Sequence, residues 1–258
     1  MASTNSSARP TRRRNPRPAR TAGTTSPAQA NVVALSVAEP ELLPLAMHRI
    51  TARFEVDDWG RDPELVRILG GVAGLRWHPT VGGVRHLPAH AGALLVTNAR
   101  RYALTPLLVA WSVGLATKRP VRFVGRPDVA PAGPLLRRLG GLLDQPLEVQ
   151  AALRDGELVV VGTEPSRSSR QAGIVPVEHI GAALKAGVGI YPVAALSSPF
   201  MRRSRVEVGT LVRERLKRRG PLAEVELAEH AQHRLQQRLD EIGGLQGIEK
   251  FLDLRREG

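Results

Sequence analysis

From Leu75 onward the chain switches repeatedly between two hydrophobic rhythms. Four short runs rich in β-branched residues are apolar at most of their positions: "ALLVT" at 93–97, "VRFVG" at 121–125, "ELVVVG" at 157–162 and "VGIYPVA" at 188–194. A strand with this pattern offers apolar side chains to both faces of a sheet, as the interior strands of parallel sheets do. Between and around these runs the apolar residues return at helical spacing, over 104–117, 133–139, 147–154 and 178–186. Strands alternating with helices predict an α/β domain with a largely parallel central sheet flanked by helices.

The flanks of this block read differently. "DDWGRDPELVRILGGVAGLRW" supplies an aspartate cap, Pro63 in a first helical turn, and Leu65, Ile68 and Leu69 at helical spacing, which predicts a helix from Pro63 to about Leu69. Near the other end, "RSRVEVGTLV" at 203–212 alternates as an edge strand does. Leu222, Val225, Ala228, Ala231, Leu235, Leu239 and Ile242 then mark one face of a closing helix of about five turns.

Length and composition limit what surrounds this core. A chain of 258 residues with 42% hydrophobic residues can build one substantial core, and no internal repeat divides it. The expected organisation is a tail at 1–30, a linker at 31–56, one α/β domain at 57–245 and a C-terminal tail at 246–258. The first segment carries Arg9, Arg12, Arg13, Arg14, Arg17 and Arg20 among Ser, Thr and Pro, with no acidic residue before Glu39. It holds too little apolar surface to offset its ordering entropy and reads as a disordered, solvated tail. Its repeated prolines are unsuited to the amphipathic helix of a transit peptide. No apolar run reaches the roughly 18 residues of a transmembrane helix. The longest, Leu104 to Ala116, ends at Thr117-Lys118-Arg119-Pro120 and reads as a buried helix.

Charge and rare residues narrow the chemistry. With no cysteine, disulfides, thiolate metal sites and a cysteine nucleophile are excluded. Aromatics at 3% argue against base-stacking platforms for single-stranded nucleic acid. The net charge of +13 includes a run of Arg213, Arg215, Lys217, Arg218 and Arg219 that suits nucleic-acid phosphates or anionic lipid headgroups. Near a bilayer each such residue contributes about 1 kcal/mol.

In an open α/β sheet, ligands bind beyond the carboxyl ends of the strands. Two such ends carry polar residues: Thr97-Asn98-Ala99-Arg100-Arg101 and Gly162-Thr163-Glu164-Pro165-Ser166-Arg167. Arg100 and Arg101 are suited to grip a phosphate or carboxylate, although plain surface arginines are equally in keeping with so Arg-rich a chain. The histidines offer no second constellation. His86 and His90 precede a strand in a loop. His230 and His233 lie on the closing helix, with Glu226 and Glu229 four residues before them and Asp240 beyond, as on a charged solvent face.

The blocks "DDWGRDPEL", "LLVTN", "PAGPLLRRLGG", "LRDGELVVVGTEPSR" and "GVGIYPVA" fall in this order between about Asp57 and Leu211. Together they resemble the glycerophospholipid acyltransferase family, in particular its lysophosphatidate-acyltransferase-like members from actinobacteria. The resemblance implies a site in which Asn-His follows the first of these strands, with an Asp several residues on. The His takes the proton of the acceptor hydroxyl and the Asp orients it. Here Asn98 matches, but Ala99 stands at the position of the base, and Leu104, Thr105 and Pro106 stand where the Asp belongs. The family's Phe-Pro-Glu-Gly falls on Gly162 to Pro165 and keeps only Glu164. Tyr191-Pro192-Val193 keeps a later motif, and Gln145 and Pro146 replace an arginine that many members use for phosphate.

The substrate-binding residues this implies are Asn98, Arg100, Arg101, Thr163, Glu164, Ser166 and Arg167; the catalytic residue is unknown, and no metal or cofactor is expected. The function expected is an acyltransferase-family protein, catalytically impaired or inactive, that binds lipid or an acyl thioester while cytoplasmic and peripherally attached to an anionic membrane surface. One alternative is an active enzyme moving an acyl group from acyl-CoA or acyl-carrier protein to a lysophospholipid. A second alternative is a basic nucleic-acid-binding protein.

Overall fold

The computed structural model describes residues 33–34, 55–99, 104–166, 168, 170–196, 203–212 and 220–245. Among the described residues eight strands and six α-helices follow in chain order: β1 (Val33–Ala34), α1 (Pro63–Arg76), β2 (His78–Gly82), β3 (Ala93–Thr97), α2 (Thr105–Thr117), β4 (Val121–Val124), α3 (Ala132–Arg138), β5 (Gly141–Leu142), α4 (Pro146–Arg154), β6 (Leu158–Gly162), α5 (Val177–Ala186), β7 (Gly189–Leu196), β8 (Arg203–Val208) and α6 (Pro221–Leu245). They build one sheet in the order β1-β2-β8-β7-β3-β6-β4-β5. The strands from β7 to β5 all run parallel, and β8 turns back antiparallel to β7 while pairing parallel with β2. The α/β class and the largely parallel sheet are as the hydrophobic rhythm predicts.

The period-two alternation of the strands feeds two cores. On one face Leu94, Val96, Val159, Val161, Ile190 and Ala194 pack under α4, α5 and α6. On the other, Ala93, Leu95, Leu158, Val160 and Val193 meet Val109, Ala110 and Val113 of α2. All five residues of β3 are buried, which explains why it reads as a continuous apolar run.

Several expectations are corrected. "RSRVEV" is an interior strand between β2 and β7, not an edge. Its polar positions face protein: Ser204 and Glu207 are buried, and Arg205 lies 3.5 Å from the Glu207 carboxylate. Helix α1 runs on past Leu69 to Arg76. Three glycines mask its second half in the sequence, and the space that Gly70 leaves is used. A Cβ on Gly70 would come 2.7 Å from Nε1 of Trp111 on α2. The closing helix is 25 residues long, about seven turns rather than five. Helix α2 is buried on one side only, with Leu115 exposed. Strands β2 and β5 carry no apolar run and are additions. Among the described residues no helix is long and apolar enough to cross a membrane. The tails at 1–30 and 246–258 and the basic run at 213–219 lie outside the described residues.

Candidate functional site

The connections place a crevice where polar residues were expected. Strands β3 and β6 are parallel neighbours with Thr97 opposite Gly162. The chain leaving β3 passes to α2 on one face, and the chain leaving β6 passes to α5 on the other. Adjacent strands whose outgoing connections diverge to opposite faces open a crevice at their carboxyl ends, the position where doubly wound sheets bind ligands.

The two loops at this point are stitched together. Thr163 N–H donates to Thr97 O at 2.8 Å, Ala99 N–H to Thr163 Oγ1 at 3.2 Å, and Ser166 N–H to Ala99 O at 3.1 Å. Thr163 Oγ1 also donates to the Glu164 carbonyl at 3.2 Å. Asn98 turns away toward β7. Its Nδ2 donates to Ala195 O and its Oδ1 accepts from Ala195 N–H, both at 2.9 Å, so the amide acts as a rung of the ladder. At 1% exposure it is part of the frame.

Ala99 is 8% exposed. A Cβ placed on Gly162 would lie 3.2 Å from both the Ala99 methyl and the Pro106 ring, so these three residues are packed against one another. The position at which the resemblance puts a general base therefore holds a packed methyl group. Along the described stretches 97–99 and 163–166 the one ionisable carboxyl or basic side chain is Glu164, which is exposed.

Glu164 is held through its backbone. Its N–H donates to Ile174 O at 2.8 Å, and Gly173 lies so close to the Glu164 carbonyl that no side chain fits there. Ser166 Oγ lies 2.6 Å from Ser168 O and 2.9 Å from Gln171 O, and its one proton serves either. Gln236 of α6, which sequence reasoning missed, ties this loop down: its Oε1 accepts from Ala172 N–H at 2.9 Å and its Nε2 donates to Arg170 O at 3.0 Å. A polar residue on the closing helix gives no sequence signal of a partner 64 residues away.

The structure thus brings Asn98, Thr163, Glu164 and Ser166 to one end of the sheet, with Glu164 the member facing outward. Arg100, Arg101 and Arg167 lie outside the described residues. His86 ends a short 3-10 turn at Val84–His86, its Nδ1 lying 3.1 Å from Val208 O, and His90 is exposed. His179 is buried on α5, with Nε2 2.7 Å from Asp144 Oδ1 just before α4.

A second charged cluster sits at the opposite, amino end of the strands. Arg122 of β4, 1% exposed, donates to Asp57 at 2.6 and 3.2 Å and to Glu157 at 3.1 Å. Burial alone would lower the Arg122 pKa, but the hydrogen bonds to Asp57 and Glu157 outweigh it and hold the pKa above its ordinary value. Arg61, desolvated and facing the Arg122 charge, is pushed below its own. Asp57 also accepts from Trp59 and Arg61 N–H groups, while Asp62 caps α1 through Leu65 N–H and binds Arg138 at 2.7 Å. The "DDWGRDPEL" block is thereby accounted for as a clamp fastening α1 to the sheet.

No family model matches the chain, and no curated protein matches it. Among solved structures, the fold is similar to the crystal structure of the 1-acyl-sn-glycerophosphate (LPA) acyltransferase PlsC from Thermotoga maritima. The TM-score is 0.52 at 15% sequence identity, over 77% of this chain and 87% of that chain. The chain has an acyltransferase-like α/β fold.

Proposed function

We propose that this chain is a divergent acyltransferase-fold protein that binds lipid or an acyl thioester at a membrane surface and is catalytically impaired or inactive. Residues 57–245 form its working domain in this reading. The observation that carries the proposal is Ala99, packed against Gly162 and Pro106 at the switch-point crevice. An acceptor hydroxyl attacks a thioester carbonyl only as fast as its proton is removed, and a positioned base contributes about 10² to 10⁴ in rate. Ala99 cannot take that proton, and a bound acyl ligand would still be oriented by the peptide frame that Asn98, Thr163 and Ser166 hold in place. Glu164 and the arginines at 100, 101 and 167 supply the polar contacts to an acceptor headgroup in this reading.

The test is acyl transfer from labelled acyl-CoA and acyl-carrier protein to lysophospholipid and glycerol phosphate, with the native chain and Ala99→His side by side. The expected result is no robust turnover by the native chain. Mass spectrometry of the purified native protein, which does not depend on the variant folding, is expected to show co-purified lipid or acyl thioester. Vigorous turnover by the native chain would instead establish the active-enzyme reading. Absence of any lipid or acyl ligand, with tight nucleic-acid binding, would favour the third.

A further inference from the structure

Helix α1 presents its faces in the reverse of the usual order. A surface helix turns its large apolar side chains to the core and its polar ones outward. Here Gly70, Gly71 and Gly74 are buried, whereas Leu69, Val72 and Leu75 are 38%, 48% and 49% exposed and Leu65 and Ile68 are half-buried. Positions 65, 68, 69, 72 and 75 recur at helical spacing, so their side chains line one continuous stripe. The glycines let the inner face close on α2, where Gly70 meets the Trp111 indole. The outer stripe is a surface on which a further layer can rest.

The path of the chain identifies that layer. Strand β1 pairs antiparallel with β2, Val33 opposite Val81 and Ala34 opposite Thr80. On leaving Ala34 the chain is therefore headed toward His78, beside the C-terminal end of α1 at Arg76. It is next described at Glu55, just before Asp57 binds Arg122 and α1 begins at Pro63. Residues 35–54 must then pass from the C-terminal end of α1 back to its N-terminal end, about 21 Å for its 14 residues. In sequence this segment carries Leu43, Met47, Ile50 and Phe54 at intervals of four, three and four, with Pro44 suited to a first helical turn.

We propose that residues 43–54 are the missing layer and pack antiparallel on α1, with Leu43, Met47, Ile50 and Phe54 laid along the stripe from Leu75 to Leu65. The two stripes are of nearly equal length, and the alignment sets Arg53 beside Glu64 in the first turn of α1. Two features select this occupant over a second copy of the chain or a bilayer. The segment is tethered at both ends of the helix it must pass, so it meets the stripe at an effective concentration that a free partner does not match. It also carries an apolar face of its own to bury. The folded domain then starts at about residue 33, and 35–54 is part of it and not a linker. The inference does not depend on what the crevice binds.

Because the chain has no cysteine, paired substitutions test the contact in the full-length protein. Met47→Cys with Val72→Cys is expected to form an intramolecular disulfide at least about tenfold faster than Arg49→Cys with Val72→Cys, whose first cysteine points away from the stripe. In urea denaturation, Leu69→Ser with Val72→Ser and, separately, Met47→Ser with Ile50→Ser are each expected to lower the midpoint. All four together are expected to lower it by less than the sum of the two shifts, because both pairs remove one contact. Equal disulfide rates overturn the inference, as do additive shifts or a Leu69→Ser with Val72→Ser chain as stable as the native one. So does a dimer in sedimentation that this variant makes monomeric, which gives the stripe to a second copy, or vesicle binding that it abolishes, which gives the stripe to a membrane.

Discussion

Asn98 and Arg122 are both polar, both 1% exposed, and serve opposite ends of the sheet. Asn98 exchanges two hydrogen bonds with the Ala195 backbone. Asn98→Ala leaves that buried N–H and C=O unpaired and is expected to cost about 1–3 kcal/mol of unfolding free energy, read from urea denaturation. If Asn98→Ala lost acyl-ligand binding at unchanged stability, the residue would be a ligand contact and not part of the frame. Arg122→Ala strands the Asp57 and Glu157 carboxylates and is expected to cost about 3 kcal/mol or more. The combination Arg122→Met, Asp57→Asn, Glu157→Gln removes the charges together and is expected to recover much of that loss. Because the Arg122 pKa is raised in the folded chain, its contribution is complete below the unfolded value and is lost only as pH rises through the folded one. The Arg122→Ala deficit is therefore expected to be the same at neutral and mildly alkaline pH.

At the scale of elements, what the sequence makes legible is what burial writes into it. Strands β3, β4, β6 and β7 are buried on both faces and show as apolar runs, and their helices show as periodic ones. Elements held by other means do not show. Strand β2, "HPTVG", has an exposed His78 and a partly exposed Thr80, and is recruited into the sheet by pairing with β8. The polar face of β8 mimics an edge because the Arg205–Glu207 ion pair takes the place of apolar side chains there. The candidate site was half legible for the same reason: motif order located the two loops, whereas the packing of Ala99 and the tether from Gln236 depend on long-range contacts that spacing does not encode. Gly83 shows how tightly one such join is made. It sits at φ 72, and a Cβ there would overlap the Val208 carbonyl where β2 meets β8. Gly83→Ala is expected to destabilise by roughly 1–3 kcal/mol from backbone strain, with the clash adding to it. A thermal melt indistinguishable from the native one would show that this corner is free to shift.

Across the whole molecule the charge is unevenly placed. Of 37 Lys and Arg, 20 fall outside the described residues, against 6 of 24 Asp and Glu, so the described part carries 17 basic and 18 acidic side chains and is nearly neutral. The excess is concentrated in residues 1–54, with eight arginines against two glutamates, and in 213–219, with five basic residues against one. Charges gathered this way act on anionic surfaces through interactions screened over about 8 Å at physiological ionic strength. Binding to vesicles containing phosphatidylglycerol is therefore expected to exceed binding to phosphatidylcholine vesicles at low salt. The difference is expected to vanish as salt rises. Deleting residues 1–30 removes six of the arginines, and replacing the basic residues of 213–219 by Gln removes five more charges. Each change is expected to flatten the salt dependence. Competition decides which polyanion the basic segments serve. If duplex DNA displaced the protein from anionic vesicles at equal phosphate concentration, and the two variants lost DNA binding first, the basic segments would belong to nucleic acid and not to the membrane.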